Sequence, residues 1–181
     1  MSFAEPEKLT LIFDAENREE WQRTSYILER LAIRDDMTVA DIGAGTGYFS
    51  NIFADQAQKV YAIDCEPNMV SYMQRRFQQS SHSNIDISQS TKTDPCLPNG
   101  VDLVFVANTY RFIRERTQFL NNLHAQVSPN AHIVFVDFKG EQAQVSPQMA
   151  VAEVEQAGFR VIDLDVSGCP DHYVLSFAKV S

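Results

Sequence analysis

Apolar residues along this chain fall into short runs that alternate with segments of helical spacing, and the alternation persists from residue 38 to residue 179. The β-rich runs Thr38–Ile42, Lys59–Asp64, Asn84–Ser88, Val101–Asn108, Ala131–Phe138, Phe159–Val166 and Tyr173–Lys179 are predicted strands. Helices are predicted over Arg18–Leu31, Tyr48–Gln58, Pro67–Gln79, Arg114–Val127 and Pro147–Ala157. "VDLVFVA" and "HIVFVDF" are apolar at odd and even positions alike, as a parallel sheet covered on both faces requires. The connection "SGCPD" between the last two strands is too short for a helical crossover, so these strands should pair antiparallel. The pattern predicts an α/β fold with a doubly wound, seven-stranded Rossmann-like sheet whose last strand is antiparallel.

A length of 181 residues allows one sizeable core, so residues 1–181 are expected to form a single domain. Residues 1–35 would be its N-terminal helical cap and residues 36–181 its cofactor-binding core. The opening "MSFAEPEKLT" carries neither a basic leader nor an apolar stretch, and no apolar run reaches the length of a membrane span. A cytoplasmic protein without membrane contact is expected. Cys65, Cys96 and Cys169 are odd in number and follow no zinc spacing, which favours reduced structural thiols and no metal site. A formal net charge of -9 works against capture by phosphate backbones, so nucleic acid is not an expected partner. The one dense basic stretch, "RFIRER" at residues 111–116, is expected to be a solvated helix start.

The chemistry concentrates in "VADIGAGTGYFS", residues 39–50, where three glycines follow a strand and precede a helix. Ligands of open α/β sheets bind at such a carboxyl edge, and Gly43, Gly45 and Gly47 would let one approach the backbone. The loop suits a dinucleotide, a nucleoside, a phosphate or a bare tight turn. Tyr48 occupies the place of the third glycine in a nicotinamide fingerprint, and no Gly-Lys-Ser/Thr follows as a phosphate loop would need. Asp41 would repel a pyrophosphate and attract a cationic ligand. Asp64, at the end of the next strand, stands where a carboxylate can accept from both hydroxyls of a ribose.

Together "VADIGAGTGYFS" and "VYAIDCEPNMV" resemble motifs I and II of the class I S-adenosylmethionine-dependent methyltransferases. The resemblance continues through "LPNGVDLVFVANTYRFI", "VSPNAHIVFVDFK" and "VEQAGFRVID", covering residues 21–179 or so. It implies S-adenosylmethionine as cofactor, with Asp41, Gly43, Gly45 and Gly47 at its methionine end and Asp64 on its ribose. Cys65 and Glu66 would lie beside the adenosine. Ser90 or Thr91 stands where relatives often carry an acid for the adenine, and Asn108 would face the methyl group.

Asn108, Tyr110 and Asp137, at the ends of the fourth and fifth strands, are the catalytic candidates. "NTY" is not the Asn-Pro-Pro-aromatic motif of amide and adenine methyltransferases, and the two histidines that often follow in relatives are here Arg111 and Phe112. His82, His124, His132 and His172 are scattered, and structural or solvated roles are expected of them. Trp21 and Tyr26 should cap the sheet, and Phe13 and Asp14 lie where they would reach the cleft. The connection "KGEQAQVSP", residues 139–147, holds no substrate-recognition insert. That points to a small-molecule methyl acceptor, or to a pocket completed by a second subunit in a homodimer. A cofactor-binding regulatory protein without turnover is the alternative function, and a nicotinamide oxidoreductase a more distant one.

Overall fold

A computed structural model describes residues 5–15 and 17–180. Three helices lead the chain: α1 (Pro6–Phe13), α2 (Arg18–Gln22) and α3 (Thr24–Leu31). They are followed by β1 (Thr38–Ile42), α4 (Tyr48–Ala54), β2 (Lys59–Asp64), α5 (Pro67–Gln78), β3 (Ile85–Gln89) and β4 (Leu103–Ala107). A short 3-10 turn over Tyr110–Phe112 leads into α6 (Arg116–Gln126), β5 (His132–Phe138), α7 (Pro147–Gln156), β6 (Phe159–Asp165) and β7 (His172–Lys179).

The strands form one sheet in the order β3-β2-β1-β4-β5-β7-β6. The pairs among β1 to β5 are parallel, and β7 runs antiparallel to both β5 and β6. The chain starts in the middle at β1, winds outward to β3, then returns to β4 and winds the other way. The connections leaving the carboxyl ends of β1 and β4 therefore run to opposite sides of the sheet, and the crevice in which such sheets hold ligands lies between them.

Strand parity explains why both faces are covered. Val104, Val106, Ile133 and Phe135 face a core with Leu120 and Leu123 of α6 and Ala150 and Val154 of α7. Their neighbours Leu103, Phe105, Val134 and Val136 face the other core, with Ile27 and Leu31 of α3 and Phe49 and Phe53 of α4. Each fully buried aliphatic or aromatic side chain contributes ~1.5–3 kcal/mol relative to exposure, which is why the continuous apolar runs become central strands.

The structure departs from the sequence expectation at the N-terminus. Helix α1 was not anticipated, and the expected Arg18–Leu31 helix is broken at Arg23, whose φ of 52° is left-handed. The Arg23 guanidinium donates to the Gly168 carbonyl at 2.8 Å, a tertiary contact that local propensity does not contain. Strand β4 ends one residue before Asn108, which turns to φ 51°. Asparagine is among the few side chains that adopt this region readily. Among the described residues no helix is long and apolar enough to cross a membrane.

Candidate functional site

The glycine loop is held against the sheet by its own backbone. Gly43 and Ala44 both donate to the Ile63 carbonyl, at 2.8 and 3.0 Å, and Gly47 donates to Ala44 at 2.9 Å. All three glycines have positive φ: 72° at Gly43, 59° at Gly45 and 82° at Gly47. At two of them the excluded neighbour is the protein itself. A Cβ on Gly43 would run into the Thr109 side chain, and one on Gly47 would come within 2.8 Å of the Phe77 ring.

Two buried carboxylates flank the loop. Asp41, 3% exposed, accepts a 2.6 Å hydrogen bond from Ser50 Oγ. Burial, helped by Asp64 and opposed by Ser50 and Arg18, pushes its pKa up to about 7. Asp64 Oδ2 accepts from the Gly45 amide at 2.8 Å and Oδ1 from the Glu66 amide at 2.9 Å. Burial raises the Asp64 pKa too, against the pull of those amides. Each of its oxygens retains a second lone-pair direction for a further donor.

The leading helices cross the whole carboxyl edge. Over α5, the Tyr72 hydroxyl donates to Thr10 Oγ1 at 3.0 Å, the Thr10 hydroxyl itself donating to the Pro6 carbonyl at 2.9 Å. Over the glycine loop, Asp14 accepts from Thr46 Oγ1 at 3.0 Å and pairs with Arg76 at 2.7 Å, so Asp14 does reach the cleft. The Phe13 side chain lies outside the described residues. Arg18 is 6% exposed, and its guanidinium lies 4.1 Å from the Tyr48 ring centroid and 5.0 Å from that of Phe49. Desolvation lowers its pKa to about 10. At the far side Tyr26 donates to Asp165 at 2.5 Å.

Trp21 of α2 meets His172, the first residue of β7, at a ring separation of 5.8 Å. His172, expected to be structural or solvated, is 4% exposed and stands beside Asn108. Asn108 Oδ1 lies 3.3 Å from Arg111 Nη1 and 2.7 Å from His172 Nε2. Arginine offers only donors, so the Asn108 oxygen must face it, and His172 Nε2 must carry the hydrogen. Nδ1 of His172 is buried, and the Trp21 backbone lies against the ring, holding its pKa up in part. Burial, with Arg111 and Arg18 nearby, lowers the His172 pKa to about 4, so the ring is neutral at pH 7.

The three catalytic candidates separate. Only Asn108 lies at this junction with an engaged but reachable amide. Tyr110 is turned by the 3-10 turn into the core, is 0% exposed, and donates its hydroxyl to Glu153 at 2.5 Å. Burial and that carboxylate raise its pKa far above the ordinary phenol range. Asp137 is 1% exposed, accepts from the backbone amides of Arg111 and Phe138 at 3.0 and 2.8 Å, and pairs with the Arg111 guanidinium. These two side chains organise the turn after β4. "RFIRER" is solvated only in part: Phe112, Arg114 and Glu115 are exposed ahead of α6, whereas Arg111 pairs with Asp137, and Arg116 pairs with Glu153 at 2.8 Å.

On the other side of the loop, Cys65 is half-buried and burial raises its thiol pKa. The Ser90 amide donates to the Asp64 carbonyl at 3.0 Å, placing Ser90 beside that carboxylate's strand end. The Thr91 hydroxyl instead accepts from the Asp94 amide at 2.9 Å, closing a local turn. No cluster of His, Cys, Asp or Glu among the described residues could hold a metal ion. Sequence reasoning missed Arg18 and His172, since single polar residues on helices and strand starts carry no spacing signal.

Comparison with known proteins adds an independent line. The family model described as "Methyltransferase domain" matches residues 33–176. A crystal structure of a SAM dependent methyltransferase from Aquifex aeolicus superposes with a TM-score of 0.86 at 26% identity, covering 99% of this chain and 100% of that one. The DhpI-SAM-HEP complex superposes with a TM-score of 0.77 at 17% identity, covering 96% and 92%. The malonyl-[acyl-carrier protein] O-methyltransferase of Acetivibrio thermocellus is 23% identical over 130 residues, 70% of this chain and 45% of that protein. The chain spans about half the length of the curated relatives it matches.

Proposed function

The chain belongs to the methyltransferase-domain family, and we propose that it transfers a methyl group from S-adenosylmethionine to a small-molecule acceptor. The observation that carries this reading is the pairing of two buried carboxylates across one glycine loop, Asp41 at the end of β1 and Asp64 at the end of β2. A pyrophosphate would be repelled by both. A nucleoside bearing an ammonium and a ribose satisfies both at once.

In this reading Asp41 faces the ammonium of the methionine end, and Gly43, Gly45 and Gly47 hold the loop in the left-handed conformation that wraps it. Asp64 accepts from the ribose hydroxyls with its remaining lone pairs. Cys65 and Ser90 flank the adenosine, and Thr91, whose hydroxyl is spent on its own turn, lies at the outer end of that pocket. When bound, the cofactor supplies an electrophilic methyl on a sulfonium that leaves as a neutral thioether. The protein's task is then to position an acceptor in line with that methyl and to exclude water.

On the acceptor side the polar groups come from Asn108 and neutral His172, and the apolar walls from Trp21 and Phe138, whose rings lie 5.8 and 6.4 Å from the imidazole. This small rim, together with the short connection at residues 139–146, supports a small acceptor. Tyr110 and Asp137 serve as positioning residues for the turn that presents Asn108. The free thiols Cys65, Cys96 and Cys169 suit a reducing, cytoplasmic setting.

Calorimetric titration with S-adenosylmethionine, S-adenosylhomocysteine and NADH tests the ligand. Binding of the first two and not the third is expected, and tight NADH binding or no binding overturns the reading. Release of S-adenosylhomocysteine with a panel of small phenols, carboxylic acids and amines then tests the transfer. Turnover with proteins or nucleic acid alone would refute the acceptor class.

A further inference from the structure

We propose that Arg111 makes the acceptor side of the cleft a carboxylate-reading site, in which its guanidinium and the Asn108 amide both donate to one carboxylate on the methyl acceptor. The proposal rests on the methyl-transfer reading above. Asn108 Oδ1 faces His172 Nε2 at 2.7 Å and Arg111 Nη1 at 3.3 Å, which turns its Nδ2 away from both. That nitrogen donates to no described residue, and Asn108 is half-buried. Arg111 uses a single nitrogen, Nη1, for Asn108 and Asp137 together. Its Nε and Nη2 donate to no described residue, and its side chain is 22% exposed. Arg111 is also the strongest charge acting on the His172 ring, ahead of Asp171 and Arg18, so its field reaches the acceptor side.

Exposed donors are ordinarily solvated, but these two are held in place. His172 and Arg111 fix which way the Asn108 amide points, and the buried Asp137 fixes the guanidinium, whose carbon lies 4.5 Å from the Phe112 ring centroid. Asp137 also accepts from the backbone amides of Arg111 and Phe138, so pairing with it leaves the outer edge of the guanidinium for a ligand. Donors ordered in advance lose little freedom on binding. A carboxylate suits them, being planar with two accepting oxygens. A carboxamide offers one oxygen and turns an N–H group toward donors. A phosphate carries more charge than the site balances, because Asp137 offsets Arg111 and Asp171 adds a negative charge near His172. The rival role for Arg111 is that of a counter-ion for Asp137 alone, with no contact to the acceptor.

The two roles separate by NMR of the protein loaded with S-adenosylhomocysteine. The Asn108 side-chain amide and Arg111 Nε–H resonances are followed while sodium acetate replaces sodium chloride at constant ionic strength. Acetate should shift both resonances saturably, and acetamide, its neutral isostere, should need at least ~10-fold higher concentration, the difference expected of charge-assisted hydrogen bonds. Inorganic phosphate should bind no more tightly than acetate. In Arg111→Gln the Asn108 resonance should lose its preference for acetate, and Arg111→Lys, which keeps the charge without the planar fork, should recover part of it. Equal response of the wild type to acetate and acetamide, or none to either, overturns the proposal without any variant needing to fold. So does tighter binding of phosphate, or an acetate preference that survives in Arg111→Gln. Failure of the wild type to bind S-adenosylhomocysteine at all overturns the methyl-donor reading itself, and this proposal with it.

Discussion

Asp41→Asn should stabilise the unliganded protein while disabling it. Asp41 is 3% exposed, and burial moves its pKa from 3.8 to about 7. A carboxyl whose pKa is raised on folding favours the fold most when protonated, below its unfolded pKa, and that contribution is lost as pH rises from about 4 through 7. The displacement is about three pH units, and at ~1.4 kcal/mol each the ionised carboxylate costs the empty fold on the order of 4 kcal/mol at pH 8. Asparagine keeps an oxygen that can accept from Ser50 Oγ but adds an amide whose burial costs ~1–3 kcal/mol if it stays unpaired. A net gain of roughly 1–3 kcal/mol at pH 8 is therefore expected. Urea denaturation of both proteins from pH 4 to pH 8 should give stabilities that draw together at the acid end and separate above pH 7. The same variant should bind S-adenosylmethionine at least ~10-fold more weakly, having lost the anion that faces the ammonium. A stability difference independent of pH, or a variant less stable than wild type at pH 8, would refute the reasoning.

Two further outcomes follow from contacts in the core. Gly47→Ala should destabilise the fold by ~1–3 kcal/mol, because the new Cβ meets the Phe77 ring at 2.7 Å and the backbone sits at φ 82°; Phe77→Leu in the same chain should restore part of the loss, and no recovery would mean that the backbone conformation alone is responsible. Tyr110→Phe should cost ~1–2 kcal/mol in chemical denaturation by leaving Glu153 one donor short, with S-adenosylmethionine affinity unchanged; a fall in affinity would refute a purely structural role for Tyr110.

Much of the architecture was legible because strand and helix periodicities are local. Runs such as "VDLVFVA" are apolar on both faces only where helices cover both, and the six residues between β6 and β7 admit only an antiparallel pair. The glycine loop and its two carboxylates were legible for a related reason: a positive φ needs glycine, and a strand end places the next residue at the sheet's edge. The side chains after β4 were not. Tyr110 and Asp137 stand where the topology puts chemistry, but a left-handed Asn108 and a 3-10 turn direct the phenol into the core and fasten the carboxylate to Arg111.

By itself, then, the sequence determined the order of the elements from β1 onward, the doubly wound sheet and the loop at its edge, all properties of neighbouring residues. Only the tertiary structure decided what stands opposite that loop. Arg18 reaches it because the chain bends at Arg23, and His172 reaches Asn108 because β7 inserts between β5 and β6. The physical reason is range: φ preference and hydrophobic period act over a few residues, whereas burying a guanidinium among three rings or pinning an imidazole tautomer joins residues that only the folded sheet brings together.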